Sequence, residues 1–419
     1  MDLESIFNKI YIFLGIPWLF LMIVTSRGYT SIKTLLLGLL ILVAFIEFVA
    51  RKKCVNKNVL IFLIIFILYY FLSLVWGIMN NYPFFISRDF ALIQYFIITP
   101  IAVVLLSSIF VENEKRKVFL KTFIIWLTFL LVFLDLWKLL NIKANFPSIP
   151  LLNIITQSSD ISTYGLTLRL ANETSFFFLL PFVTVLSLDN TLNAIQKNVV
   201  LFSIAGGFIY CLLSGRKMLE IIEIISILFT ISMYVFQKRD ISIKEIIKLI
   251  CLIALIFVCV KWGVNVFSKI LGINNIYSEA YDTLRQGLSK NAQGVNVRSK
   301  SIKGLYILWS QSFLFGNGLN SYSNYWIANN VTKWSYEVFY NALLAQTGIL
   351  GVLLLLIAIV EIIRNLIINF MKKKENYYLA LVIAFVMFAF SAETNPMLYF
   401  VWPWTIVLVA SGILEYKGE

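Results

Sequence analysis

The sequence breaks into about twelve apolar runs of roughly 17–25 residues, the length that crosses a bilayer as a helix, and nothing else restricts its fold so strongly. In hydrocarbon every backbone N–H and C=O must be satisfied within the spanning segment, so runs of this kind become helices. The first five cover Ile6–Val24, Thr34–Ala50, Val59–Met79, Asp89–Phe110 and Val118–Leu140. The next four cover Glu173–Leu188, Val199–Ser214, Leu219–Phe236 and Ile246–Val266. The last three are Tyr336–Ile363, Tyr377–Ala392 and Met397–Leu414, and Pro17, Pro100, Pro181 and Pro403 fall inside runs. The expected fold is all-α, a polytopic integral membrane protein with about 12 transmembrane helices. A single membrane domain, 1–419, would carry one large extracytoplasmic loop over 267–335. The first run has no basic start or small-residue cleavage site, so it reads as a retained helix.

A mean hydropathy of +0.86, with 60% hydrophobic and 14% charged residues, fits a chain mostly in lipid and argues against a soluble enzyme. Histidine is absent, which removes imidazole metal sites and histidine acid–base chemistry. Cys54, Cys211, Cys251 and Cys259 have no metal-ligand spacing, and no disulfide is expected among them. The net charge of +13 reads as basic cytoplasmic loops or, more sharply, as basic residues on the outer side that bind an anionic substrate. No basic tail or stripe interleaved with aromatics points to nucleic acid. Arg51–Lys53, Lys115–Lys117, Lys238–Lys244 and Lys372–Lys374 alternate with sparsely basic connections, which predicts both termini in the cytoplasm. The connections then left outside are Asn141–Asn172, Ser214–Lys217, Lys269–Trp334 and Ser391–Pro396.

Four polar segments fall on that outer face. In Ser214-Gly-Arg-Lys217, Arg216 offers a planar fork that can hold phosphate oxygens, and the plainer reading is an i,i+4 ion pair with Glu220. In 296–318, apolar Ile302, Leu305, Tyr306 and Trp309 follow helical spacing up to a Gly316-Asn-Gly318 stop. This predicts an amphipathic helix in the interface with Arg298, Lys300 and Lys303 at its anion-favouring start, or simple snorkelling to anionic headgroups. In Thr163–Glu173, Arg169, Asn172 and Glu173 read as substrate contacts or as a loop-to-helix cap. Last, Glu337, Tyr340 and Asn341 share one face of a helix start, with Gln346 further along. Gly348 and Gly351 in the same stretch suggest close helix packing.

No phosphate-loop Gly-Lys-Ser/Thr occurs, nor an Asp-x-Asp metal pair. The nearest match, Glu112-Asn-Glu114, sits among lysines and reads as their ion partner. An enzyme of this kind would need a substrate that brings its own energy.

Four motifs now stand in order. They are an Arg–Asn loop segment, a Ser-Gly-Arg turn, an Arg-led helix ending Leu314-Phe-Gly-Asn-Gly-Leu-Asn-Ser-Tyr322, and a helix reading Tyr340-Asn-x-x-Leu-x-x-x-Gly-x-x-Gly351. Together they resemble the O-antigen polymerase and O-antigen ligase family, membrane glycosyltransferases of bacterial surface polysaccharide assembly. The resemblance implies a donor glycan on undecaprenyl pyrophosphate, used at the outer face of the inner (cytoplasmic) membrane without cofactor or metal. It also implies as partners membrane lipid, a chain-length-regulating membrane protein and a flippase. The family's arginines map onto Arg216 and Arg298 as catalytic groups beside the leaving pyrophosphate, with Arg169 third. Glu337 is the leading proton acceptor and Asp282 its alternative, while Asn172, Lys300, Tyr340 and Asn341 would contact substrate. Family ligases have His-Asn where this chain has Tyr340-Asn341, which favours polymerase over ligase. A flippase or transporter of the same lipid-linked saccharides is the alternative from another class, with Asp135 and Glu223 its supporting charges.

Overall fold

The computed structural model describes residues 3–25, 29–52, 56–110, 114–149, 161–164, 167–170, 174–214, 216–237, 261, 265–266, 293–327 and 332–393. Asn172, Glu173 and Asp282, the run 397–414 and nearly all of 246–266 lie outside the described residues. Regular secondary structure within them is helical apart from one short antiparallel strand pair.

Helices α1 (Leu3–Val24), α2 (Thr30–Ala50) and α3 (Lys57–Met79) follow the first three apolar runs. The fourth run divides into α4 (Ile86–Ile93), a π-turn over Gln94–Ile98, and α5 (Thr99–Phe110). Pro100 explains the irregularity, since a proline disrupts the helical hydrogen bonding of the preceding turn. The Thr99 hydroxyl takes up the Gln94 carbonyl at 2.7 Å. Helix α6 (Glu114–Ala144) precedes strands β1 (Ile161–Tyr164) and β2 (Thr167–Leu170), which pair antiparallel with Ser162 opposite Arg169. Then come α7 (Phe176–Leu186), α8 (Ala194–Ser214), α9 (Lys217–Gln237), α10 (Gln293–Trp309), α11 (Phe339–Lys373) and α12 (Asn376–Ser391).

Eight helical segments among the described residues are long and apolar enough to cross a membrane. Two further runs, Glu173–Leu188 and Tyr377–Ala392, appear as the shorter α7 and α12. At 1.5 Å per residue, the 11 residues of α7 extend about 16 Å, well short of a ~30 Å hydrocarbon core. Every α7 residue is buried, with α8, α9 and α12 packed around it, so protein rather than lipid surrounds this helix. That is the environment in which a helix apolar on all sides is stable.

Contacts define two ends of the bundle. At one, Lys121 reaches Asp189 (3.0 Å), and Glu114 accepts from Lys117 (2.9 Å) and Lys373 (3.0 Å), the lysine pairing expected of that glutamate. Arg51 and Arg116 share Glu47 there. At the opposite end α3 meets the segment 316–321, and α4 meets Trp334 through Asp89. Arg216, the β-hairpin, α10 and the start of α11 all belong to this second end, since each helix that reaches them leaves from the basic one.

Helix α11 is 35 residues long, about 52 Å if straight, and it is broken at Gly348 (φ 66°, ψ −172°). The break admits another piece of chain. Segment 313–318 lies against it, and the two exchange backbone hydrogen bonds: Ile349 to Phe313 and Leu350 to Leu314 one way, Asn317 to Ala345 and Gly318 to Gln346 the other. Hydroxyls of Tyr69 and Tyr70 on α3 donate to the Thr347 and Gly351 carbonyls at 2.6 and 2.8 Å. Helical backbone groups freed by the break are thus satisfied by protein, the condition under which such a break survives. The Gln346 amide also donates to the Ser321 (3.0 Å) and Trp334 (2.8 Å) carbonyls.

This junction corrects the close-packing reading of Gly348, which is a left-handed backbone position pressed against a carbonyl. Gly351 does serve close approach, with α3's Tyr69 beside the place a Cβ would take.

Candidate functional site

Arg298 and Glu337 meet at the loop end. Arg298 lies in the second turn of α10, and its Nε stands 3.3 Å from the Glu337 carboxylate just ahead of α11. Both are open, 39% and 53% exposed. Two residues assigned separate chemical duties are thus direct neighbours.

Glu337, Tyr340 and Asn341 do not share a face as the spacing suggests, because Val338 (φ −91°, ψ 79°) is the N-cap and Glu337 precedes the helix. Tyr340 instead donates to the Ala389 carbonyl of α12 at 2.8 Å, which makes it a tether between helices. Asn341 donates to Glu393 at 2.6 Å.

Glu393 is the residue the sequence reading passed over. One of its carboxylate oxygens is buried without a partner among the described residues. Loss of hydration raises its carboxyl above the usual range, and donors from the Tyr340 backbone and Asn341 offset this in part. A carboxylate held closer to neutrality by burial suits proton transfer better than an exposed one. Its signal in sequence is a lone acid in the short connection after an apolar run.

A helix, α10, covers the stretch read as amphipathic. It buries Ser301, Leu305 and Leu308, with both leucines against Tyr336, Val338, Ala342 and Ala345, and leaves Ile302 and Tyr306 exposed. It also ends at Trp309, before the Gly316 stop, because 313–318 leaves it to enter the break in α11. Its basic residues face protein groups: Lys300 lies 5.0 Å from the Trp326 ring centroid and Lys303 5.3 Å from that of Tyr325. The Tyr336 hydroxyl ties this loop together, accepting from the Ser323 N–H (2.9 Å) and donating to the Trp326 carbonyl (3.3 Å). Burial pushes that hydroxyl's pKa up to about 12, so it stays a neutral donor.

Arg216 is half-buried at the turn between α8 and α9, where its carbonyl accepts the first helical bonds from Leu219 (2.9 Å) and Glu220 (3.1 Å). Glu220 is 4% exposed, and no ion pair joins it to Arg216 among the described residues, so the i,i+4 pairing is not formed. Arg169 stands in strand β2, which lies beside α8, and the cap reading of Asn172 and Glu173 falls outside the described residues. One end of an apolar bundle therefore carries Arg169, Arg216, Arg298, Glu337 and Glu393 on five separate pieces of chain. A guanidinium is suited to holding phosphate oxygens, and a carboxylate to taking a proton from a hydroxyl. No family model matches the chain, and no curated protein matches it in sequence.

Proposed function

We propose that the protein is a surface polysaccharide polymerase, joining O-antigen or capsule repeat units carried on undecaprenyl pyrophosphate. The Arg298–Glu337 pair, four residues from the Asn341–Glu393 pair at the mouth of an apolar bundle, carries this reading. In the reaction an acceptor sugar hydroxyl forms a bond to the anomeric carbon of the donor glycan. The bond from that carbon to the pyrophosphate oxygen breaks, and undecaprenyl pyrophosphate leaves with the electron pair. Arg298 and Arg216, with Arg169 third, would neutralise the leaving diphosphate, the kind of fixed charge that supplies a large part of catalysis. The hydroxyl proton passes to a carboxylate, Glu337 or the half-buried Glu393. Lys300 and Asn341 would contact sugar or phosphate, with Tyr340 bracing the helix behind them.

Purified protein supplied with lipid-linked repeat units should make polymer in EDTA and without nucleotide. A strict requirement for added Mg²⁺ or Mn²⁺ would count against this chemistry. The flippase reading draws on Glu223, buried in α9 with Thr184 donating to it at 3.0 Å, and on buried Asp135. The same assay separates the two, since a flippase lengthens no chain.

The twelve-span arrangement, both termini cytoplasmic, places loop 267–335 and the site outside. Support comes from the clustering of Arg51, Lys52, Lys115–Lys117 and Lys372–Lys374 at the bundle end opposite the site. Asn324→Cys, at an exposed loop position, should react with an impermeant maleimide in intact spheroplasts, and Lys115→Cys only after rupture. The reverse pattern would invert the orientation and remove the proposed donor from reach.

A further inference from the structure

We propose that a cavity between α1, α2, α5 and α6 holds an acyl chain of an anionic phospholipid, its phosphate on Lys115 at the basic end of the bundle. This site is separate from the candidate catalytic end and does not depend on the polymerase reading. The cavity measures about 310 Å³, near the lower end of the ~300–1,000 Å³ typical of small-molecule sites. Its walls are apolar, formed among others by Ile12, Gly15, Leu37, Leu40, Leu106 and Phe119. Exposed Ile12 and Phe119 put its mouth on the lipid-facing surface.

Polar lining is confined to one end, where Asn8, Tyr11, Lys115 and Arg116 meet. Glu47, 1% exposed, takes a bidentate contact from Arg116 (3.1 and 3.0 Å) and a second cation from Arg51 at 2.7 Å. One carboxylate between two guanidinium groups leaves that cluster net positive. Arg116 is also fixed by Asn8 and lies 4.8 Å from the Tyr11 ring centroid, so this charge is held rigidly. Beside it Lys115 is exposed, with no ion pair among the described residues. Farther along the wall Trp18, 1% exposed, has an indole N–H with no hydrogen-bond partner among the described residues. A buried donor of that kind is costly unless something accepts from it, and a glycerol ester carbonyl is one group able to do so. Apolar walls with a positive rim at the membrane surface match an anionic phospholipid in both parts.

Native mass spectrometry of the purified full chain, titrated separately with phosphatidylglycerol and phosphatidylethanolamine, tests the site. One phosphatidylglycerol should be retained in preference to phosphatidylethanolamine. Lys115→Ala should weaken phosphatidylglycerol retention about fivefold, the scale of one basic residue at an anionic surface. Gly15→Trp should abolish retention, because a Cβ there meets nothing within 4 Å and the indole can fill the space. Equal retention of the two lipids by the wild type, or full phosphatidylglycerol retention in Gly15→Trp, would overturn the proposal. So would preferential capture of a polyprenyl phosphate. Should Gly15→Trp fail to fold, quenching by phosphatidylglycerol with a brominated chain provides the second measurement. The quenched fluorescence must fall in Trp18→Phe, and an unchanged signal overturns the site.

Discussion

Gly348→Ala is expected to cost about 4 kcal/mol or more, a loss reserved for substitutions that break a backbone junction. Two effects add there. A left-handed conformation is unfavourable by roughly 1–2 kcal/mol for an L-residue. In addition, a Cβ at Gly348 would lie 2.2 Å from the Leu314 carbonyl oxygen, which is backbone and cannot swing aside. Segment 313–318 would have to withdraw, and the Phe313, Leu314, Ala345 and Gln346 carbonyls would lose these partners. Gly316→Ala should behave alike, since its Cβ would stand 2.3 Å from the Gln346 carbonyl oxygen at a φ of 71°. Gly38→Ala is the control: it lies in mid-helix with nothing within 4 Å, and should be neutral or slightly stabilising. Size-exclusion profiles of detergent-solubilised protein before and after heating would compare all three. If Gly348→Ala matches Gly38→Ala, the loop does not occupy the break.

Arg298→Ala is expected to lower polymerisation by about 10²-fold, the effect of losing one preorganised charge-stabilising donor. Folding should be little affected, because an exposed pair such as Arg298–Glu337 is worth only about 0–1 kcal/mol. Arg298→Lys should restore part of the rate, keeping the charge but losing the planar fork. If the pair were merely structural, Arg298→Ala and Glu337→Ala would alter the yield of folded protein alike and leave the activity per folded molecule unchanged. The pH profile then distinguishes the carboxylates. Glu393 is raised above the ordinary range by burial, so its base form fills later as pH rises. The acid limb of the rate profile should lie correspondingly high and disappear in Glu393→Gln. Near-normal polymer from Arg298→Ala at normal expression would end the case for this site.

Sequence alone determined that the chain is helical and membrane-bound, where ten of its apolar runs lie, and that Ser214–Lys217 is a turn. Those properties depend on hydrocarbon-compatible length and on local chemistry, which a linear string contains in full. The segment 314–322 and the helix start 340–351 were also legible as motifs, but not as one object. Only the tertiary structure showed that the first fills a break in the second, because no local rule pairs the Phe313 and Leu314 carbonyls with the N–H groups of Ile349 and Leu350, 36 residues further along. The same limit hid Glu393, whose significance comes from Asn341 and from burial rather than from its neighbours in sequence. The same holds for α10: periodicity marks which residues could form an apolar face, whereas packing decides that Leu305 and Leu308 are the ones set against Tyr336 and Ala342.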